Sequence, residues 1–175
     1  MGGHRISTAW MGTRIETLAD LLPRASRAVV VGINPAPVSV AAGHYYQGRQ
    51  GQRFFSRLVQ AGVLPTGMDG WEDDIAVELG IGFTDVVKRP TTGADEVSRD
   101  ELRHGRDLLE RRLSPLGNPP LIFPFKAAAV ALVGKFDRNG WIGREFAGCR
   151  LFVMPGPYQE RASADAVVAT LEAGL

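Results

Sequence analysis

The stretch RAVVVGINPAP, residues 27–37, decides the fold. Arg27 to Val31 reads as a buried strand: it is dominated by β-branched residues and closed by Gly32. Directly after it, Asn34 stands between Ile33 and Pro35. The proline confines Asn34 to extended backbone and so directs its side chain. Taken alone, the tripeptide leaves two readings open, an Asx-turn that closes the loop and an amide that holds a ligand.

Upstream, TRIETLADLL carries Ile15, Leu18, Leu21 and Leu22 at helical spacing, which predicts a helix leading into the strand. Downstream, PAPVSVAAGHYYQGRQG is rich in Pro, Gly and small residues and reads as a long loop. It leads into the helical periodicity of Phe54, Phe55, Leu58 and Val59. WEDDIAVELG predicts a helix stopped by Gly80, and GFTDVV a short strand running into KRPTTG. Ser98 followed by Glu101 fits a capping box, with Leu102, Leu109, Leu113 and Leu116 recurring behind it. PPLIFPF is the next strand, with Pro124 expected at its end because proline cannot donate to a ladder. KAAAVALVG predicts a helix, CRLFVMPGP the last strand, and ADAVVATLEAGL a terminal helix capped by Ser163. Strands alternating with helices predict a three-layer α/β/α domain around a mostly parallel four- or five-stranded sheet. The whole chain, 1–175, is expected to form one domain, with residues 1–12, and His4 among them, as a flexible N-terminus.

Composition narrows the class. Lys plus Arg number 20 against 19 Asp plus Glu, so total charge announces no polyanion partner, although a balanced total can hide a basic face. A single cysteine, Cys149, excludes an internal disulfide framework, a four-cysteine zinc site and a four-cysteine iron–sulfur cluster, and reads as a core thiol. No stretch approaches the roughly 20 apolar residues of a membrane span, and MGGHRISTAWMG lacks the apolar centre of a signal peptide. The expected compartment is the cytoplasm.

Ligands of open α/β sheets bind beyond the carboxyl ends of the strands. The segments to inspect are therefore GINPAP, TDVVKRPT, FPFK and MPGPYQER. Asp85 stands out, because a carboxylate inside an apolar strand is unfavourable unless it is bonded or functional. On its own it is open between an ion pair with Lys88 or Arg89, a cap, and a reactive group.

Taken together, VVVGINPAP, GFTDVVKRPT, ADEVSRDEL and FVMPGP occur in an order and spacing that resemble the mismatch-specific uracil/thymine DNA glycosylase family, within the uracil-DNA glycosylase superfamily. The resemblance spans roughly residues 25 to 172. It implies a monomeric enzyme that flips a deaminated or mismatched pyrimidine out of double-stranded DNA and hydrolyses its N-glycosidic bond, with no metal or organic cofactor in the chemistry. By the motif match, Asn34 positions the attacking water. Asp85 departs from the best-known members, which lack a carboxylate there, and is expected to share in catalysis as a general base or by stabilising the sugar cation. Tyr46 matches the residue that stacks on the flipped base, with Tyr45 as its alternate. Backbone groups around Ile33 and His44 supply polar contacts to the base edge, and the His44 ring is open between bonding to the base and to solvent. His104 reads as surface decoration.

Where the family carries Asn-Pro-Ser and then an apolar wedge and an arginine, this chain has Gly156 and Tyr158. Tyr158 or Gln159 is left as the filler of the vacated stack, and Arg161 as the arginine that reaches the opposing guanine or a phosphate. Lys88, Arg89 and Lys126 are expected phosphate contacts. Two other functions stay open: a catalytically impaired DNA- or nucleotide-binding module of the same fold, and a small-molecule hydrolase built on Asp85.

Overall fold

The computed structural model describes residues 3–156 and 159–175. Two strands, β1 (Arg5–Trp10) and β2 (Thr13–Leu18), form an antiparallel hairpin ahead of the main sheet. Its loop is Met11–Gly12, both at positive φ (48° and 83°), the left-handed pair that suits the twist of a two-residue hairpin. The expected helix over TRIETLADLL is therefore a strand and its exit. Thr13, Ile15 and Thr17 favour the extended chain, and Leu18, Leu21 and Leu22 were spaced helically by coincidence. The expected flexible terminus is, from residue 4 onward, hydrogen-bonded structure. Arg5 to Trp10 pair in register with Leu18 to Thr13, and the His4 amide donates to the Gly43 carbonyl at 2.6 Å.

The main sheet has five strands in the order β4-β3-β5-β7-β6. Strands β3 (Ala28–Gly32), β4 (Ile81–Asp85), β5 (Leu121–Phe123) and β7 (Cys149–Val153) run parallel. The edge strand β6 (Gly140–Phe146) is antiparallel to β7. This is the expected mostly parallel sheet, completed by a fifth strand whose exposed, bulged sequence carries little strand signal. At the other edge, Leu21 exchanges two backbone hydrogen bonds with Phe83, covering β4 with the chain that leaves the hairpin.

The helices are α1 (Pro37–Ala42), α2 (Arg49–Gln60), α3 (Glu72–Glu78), α4 (Arg99–Leu113), α5 (Lys126–Val133) and α6 (Arg161–Val168). Alternate residues of the strands point into two separate cores. Val30, Phe83, Ile122 and Phe152 meet Phe54, Phe55 and Leu58 of α2 and Val168 of α6 on one face. Val29, Val31, Leu121, Phe123 and Leu151 meet Leu109 and Leu113 of α4 and Ala128, Ala129 and Leu132 of α5 on the other. That is the three-layer α/β/α arrangement. The capping box at α4 forms as expected, with Ser98 Oγ accepting from the Glu101 amide at 3.2 Å and Glu101 Oε2 accepting from the Ser98 amide at 3.0 Å. Ser163 does not cap α6, which begins two residues earlier after Glu160. Cys149 is fully buried in the second core, and burial pushes its thiol up.

The chain leaves β3 towards β4 and leaves β5 in the opposite direction, towards β7. Loops that diverge from adjacent parallel strands open a crevice at their carboxyl ends. No helix among the described residues is long and apolar enough to cross a membrane.

Candidate active site

The crevice is a cavity of about 430 Å³ beyond the ends of β3, β4 and β5. Asn34, Asp85 and Tyr46 all line it, together with Gly32, Ile33, Thr91 and Phe125.

Backbone and side-chain bonds zip the β3 and β4 exits together. The Ile33 carbonyl accepts from the Val87 amide at 2.8 Å, and the Pro35 carbonyl accepts from the Thr91 amide at 3.3 Å. Between them, Asn34 Nδ2 donates to the Arg89 carbonyl at 3.1 Å and to Thr91 Oγ1 at 2.7 Å. A carbonyl can only accept, so the amide nitrogen must face Arg89 and the amide oxygen is directed away from it. The asparagine amide is thus held in one orientation, with its oxygen free to accept a hydrogen bond.

Asp85 closes β4 directly opposite Gly32 of β3. The side chain is buried, and its Oδ2 has no hydrogen-bond partner. The only other buried side-chain polar atom without a partner among the described residues is the Tyr46 hydroxyl. Both groups converge on Gly32: a Cβ there would stand 2.1 Å from Asp85 Oδ1 and 3.0 Å from Tyr46 Oη. Gly32 is required because no side chain fits between them. Two orphaned polar atoms in a cavity wall cost about 1–3 kcal/mol each unless a ligand or water satisfies them. A folded chain tolerates that expense most readily at a functional site.

Burial pushes the Asp85 carboxyl up to about 7, opposed by Lys88 and Arg112 and reinforced by Asp20. These neighbours form one half-buried network. Asp20 Oδ1 accepts from Thr84 Oγ1 at 2.6 Å, from Lys88 Nζ at 2.7 Å and from Arg112 Nη1 at 2.8 Å. Lys88 Nζ also donates to the Leu18 carbonyl at 3.0 Å, and Arg112 Nη2 to the Asp85 carbonyl at 3.2 Å. The result is a carboxyl group that changes charge near neutral pH, as a general base requires. Asp20 and Arg112 carried no sequence signal for this role, since 92 residues separate them.

Tyr46 adopts φ 58°, a left-handed conformation that is uncommon for a non-glycine residue. Its ring packs against Phe54 (5.2 Å between centroids) and Phe55 (6.2 Å), which sets it as one wall of the cavity. The neighbouring Gly51 allows this loop to close, because a Cβ there would lie 2.0 Å from the Tyr46 carbonyl oxygen. Tyr45 is not an alternate for stacking: it is buried in the first core with its hydroxyl donating to the Ala19 carbonyl at 2.9 Å. Replacing Tyr46 by Phe removes one orphaned hydroxyl. Denaturant unfolding of Tyr46→Phe is expected to show a gain of about 1 kcal/mol, alongside weaker ligand binding. A loss of stability would mean that the hydroxyl is satisfied within the protein.

Several expected contacts lie elsewhere. Lys88 is not a surface phosphate contact: it is buried, with its ammonium committed to Asp20 and the Leu18 carbonyl. The His44 ring faces neither solvent nor cavity. It is buried, with Nδ1 2.9 Å from Asp73 Oδ1, and it stacks on Trp71. Arg89 is partly exposed but clamped to Glu101 at 2.6 Å, which holds the Glu101 carboxyl down at about 2. His4 pairs with Asp74, and His104 packs edge-on against Trp10.

A second cavity, of about 620 Å³, adjoins the first and shares Gln50 and Phe125 with it. Arg53, Arg57 and Lys126 line it together with Gly156. The Lys126 ammonium donates to the Phe136 carbonyl at 3.1 Å and lies over the Phe136 ring. A side chain at Gly156 would meet nothing within 4 Å, so the glycine leaves this hollow open. Gln159 is held in place, its Oε1 accepting from Asn139 Nδ2 at 2.8 Å and its Nε2 donating to Ser163 Oγ at 3.0 Å. Arg161 projects into solvent at the start of α6. Tyr158 lies outside the described residues.

The arrangement is a fixed amide acceptor, a carboxyl titrating near neutrality and an aromatic wall, with a basic hollow alongside. A comparison with models of protein families matches residues 19–166 to the one described as Uracil DNA glycosylase superfamily.

Proposed function

Because the chain belongs to the uracil DNA glycosylase superfamily, we propose that it excises uracil from double-stranded DNA as a monomer, by the mismatch-specific branch of that chemistry. Membership supports a DNA glycosylase-type function and DNA as the partner. The observation that carries the specific reading is the pair of orphaned groups, Asp85 and Tyr46, in one cavity with the fixed amide of Asn34.

In this mechanism the flipped nucleotide enters the smaller cavity, with Tyr46 and Phe125 offering aromatic surface to the base. Stacking of that kind contributes about 1–3 kcal/mol per base. Asn34 Oδ1 accepts a hydrogen bond from a water directed at C1′. As the bond from C1′ to N1 lengthens, its electron pair leaves with uracil and the sugar gains positive charge. Ionised Asp85 stabilises that charge and takes the proton from the attacking water. The proton then passes to the departing base. Uracil is the substrate of choice because its anion leaves readily and its 5-position carries only hydrogen. Arg53, Arg57 and Lys126 in the adjoining hollow, with Arg161 on α6, supply positive charge for the phosphates that flank the flipped nucleotide.

The test is a labelled duplex containing one uracil, incubated with the protein and then treated with alkali to cleave abasic sites. Strand scission is expected, and Asn34→Ala should reduce it by about 10²-fold or more through loss of water positioning. If the wild type binds the duplex but leaves it uncut, with thymine and hypoxanthine duplexes uncut as well, the chain is a binding module. Gly156, where the resemblance calls for a hydrogen-bonding side chain, is the feature that favours this second reading.

A further inference from the structure

A second cluster of reactive side chains joins three segments that are distant in the chain, and none of its residues lines either cavity. We propose that His4, His44, Asp73 and Asp74 form a binding site for one divalent transition-metal ion, Zn²⁺ by the character of its ligands, that clamps the loop carrying Tyr46.

One ligand atom from each of the four residues lies within 4.8 Å of the other three. Zinc bonds of about 2.0–2.2 Å to nitrogen and oxygen place the donors of a tetrahedral site roughly 3.3–3.6 Å apart. The observed spacing brackets that range. His4 Nε2 lies 2.6 Å from Asp74 Oδ1 and His44 Nδ1 lies 2.9 Å from Asp73 Oδ1, so an ion would open the two pairs slightly and draw them together. Two carboxylates balance the charge of a dication, and two neutral imidazoles complete a donor set suited to zinc.

The surroundings are those of an oriented site. Asp73 is fully buried, its Oδ2 accepts from the Tyr45 amide at 2.8 Å, and its Oδ1 also accepts from the Asp74 amide at 3.1 Å. Such outer bonds fix the direction of a ligand's lone pairs. Trp71 stacks on the His44 ring at 4.1 Å and shields it on that side. His4 and Asp74 remain partly exposed, at 23% and 21%, which gives an ion a route in from solvent. Both histidines follow a glycine, and the two glycines let the segments cross: a Cβ on Gly43 would lie 3.1 Å from the Gly3 Cα.

The site would tie the start of β1, the loop after α1 and the first turn of α3 to one point. Tyr45 and Tyr46 follow His44 directly, so the ion would brace the strained segment that forms the cavity wall. It takes no part in bond cleavage, and the proposal stands or falls independently of the substrate.

The experiment uses the full chain without a polyhistidine tag, stripped with chelator and desalted. Added Co²⁺ is expected to produce the intense visible bands of a four-coordinate site, bleached by Zn²⁺, and Zn²⁺ should raise the melting temperature. His4→Asn and Asp74→Asn change partly exposed groups and should fold, as circular dichroism would report. Each should weaken Zn²⁺ binding by more than about 100-fold, beyond the 10- to 100-fold typical of losing an outer partner. His104→Asn should bind as the wild type does. The proposal is overturned if Co²⁺ shows only its weak hydrated-ion spectrum. It is equally overturned if the His4 and Asp74 variants retain wild-type affinity, which would mark an adventitious ion.

Discussion

Asp85→Asn is expected to lower uracil excision by about 10²–10⁴-fold, the range a positioned general base contributes, while leaving the protein folded and more stable above neutral pH. The two effects have one origin. Burial raises the Asp85 carboxyl from 3.8 to about 7, because ionising it leaves a charge in the cavity wall without a hydrogen-bond partner at Oδ2. Below pH 3.8 the group is protonated in both folded and unfolded chains, and it costs nothing. Between that value and about 7 the unfolded chain releases its proton and the folded chain keeps it, so stability falls as pH rises. Above about 7 both are ionised and the deficit is constant, corresponding to about 4 kcal/mol for a displacement of this size.

Asparagine has nearly the same shape and cannot ionise. Its stabilising effect should therefore be largest above about pH 7 and vanish towards pH 4. Wild-type excision should run the other way, rising with pH to a plateau above about 7 as the base loses its proton. Melting curves at several pH values and single-turnover rates over the same range test both limbs. Full excision by Asp85→Asn, with activity lost in Asn34→Ala, would remove Asp85 from the mechanism and leave water positioning alone.

The second large effect is structural. Lys88→Met should destabilise the fold by about 3–5 kcal/mol, the usual consequence of breaking a buried ion pair from one side. Asp20 keeps its bonds from Arg112 and Thr84 but loses the ammonium at 2.7 Å, and the Leu18 carbonyl loses its donor. Lys88 is also the largest influence holding the Asp85 carboxyl down, so its removal should carry the acid limb of the pH–rate profile to higher pH. The salt dependence of DNA binding should not change, because the ammonium does not face solvent. A surface lysine on a phosphate would behave in the opposite way. Stability would hold, and the slope of log K against log salt would shrink by about 0.9.

The contrast between Asp85 and Lys88 shows which parts of the site were legible beforehand. Asn34 and Asp85 announced themselves locally: one by the proline that restricts it, the other by a carboxylate set among apolar strand residues. Each anomaly is visible within a few residues, and the alternation of strands and helices placed both at the carboxyl edge of the sheet. Lys88, His44 and Tyr45 were just as conspicuous, yet their partners come from remote segments. Lys88 meets Asp20, 68 residues away, and His44 meets Asp73, 29 residues away. Whether a cation reaches a phosphate or a buried aspartate depends on what the fold brings opposite it.

The same division runs through the backbone. Continuous apolar strands, the Ser98–Glu101 capping box and the periodic leucines of α4 act over one to four residues, so the sequence by itself determined the layered, mostly parallel α/β architecture. The hairpin of β1 and β2 and the antiparallel edge strand β6 were decided by tertiary structure. Their residues are largely exposed, and they become strands because a neighbouring strand satisfies their backbone amides and carbonyls. The tertiary structure also decided the chemistry of Asp85. Gly32, Tyr46, Lys88, Arg112 and Asp20 converge on it from separate elements, and their combined desolvation and charge set its affinity for a proton.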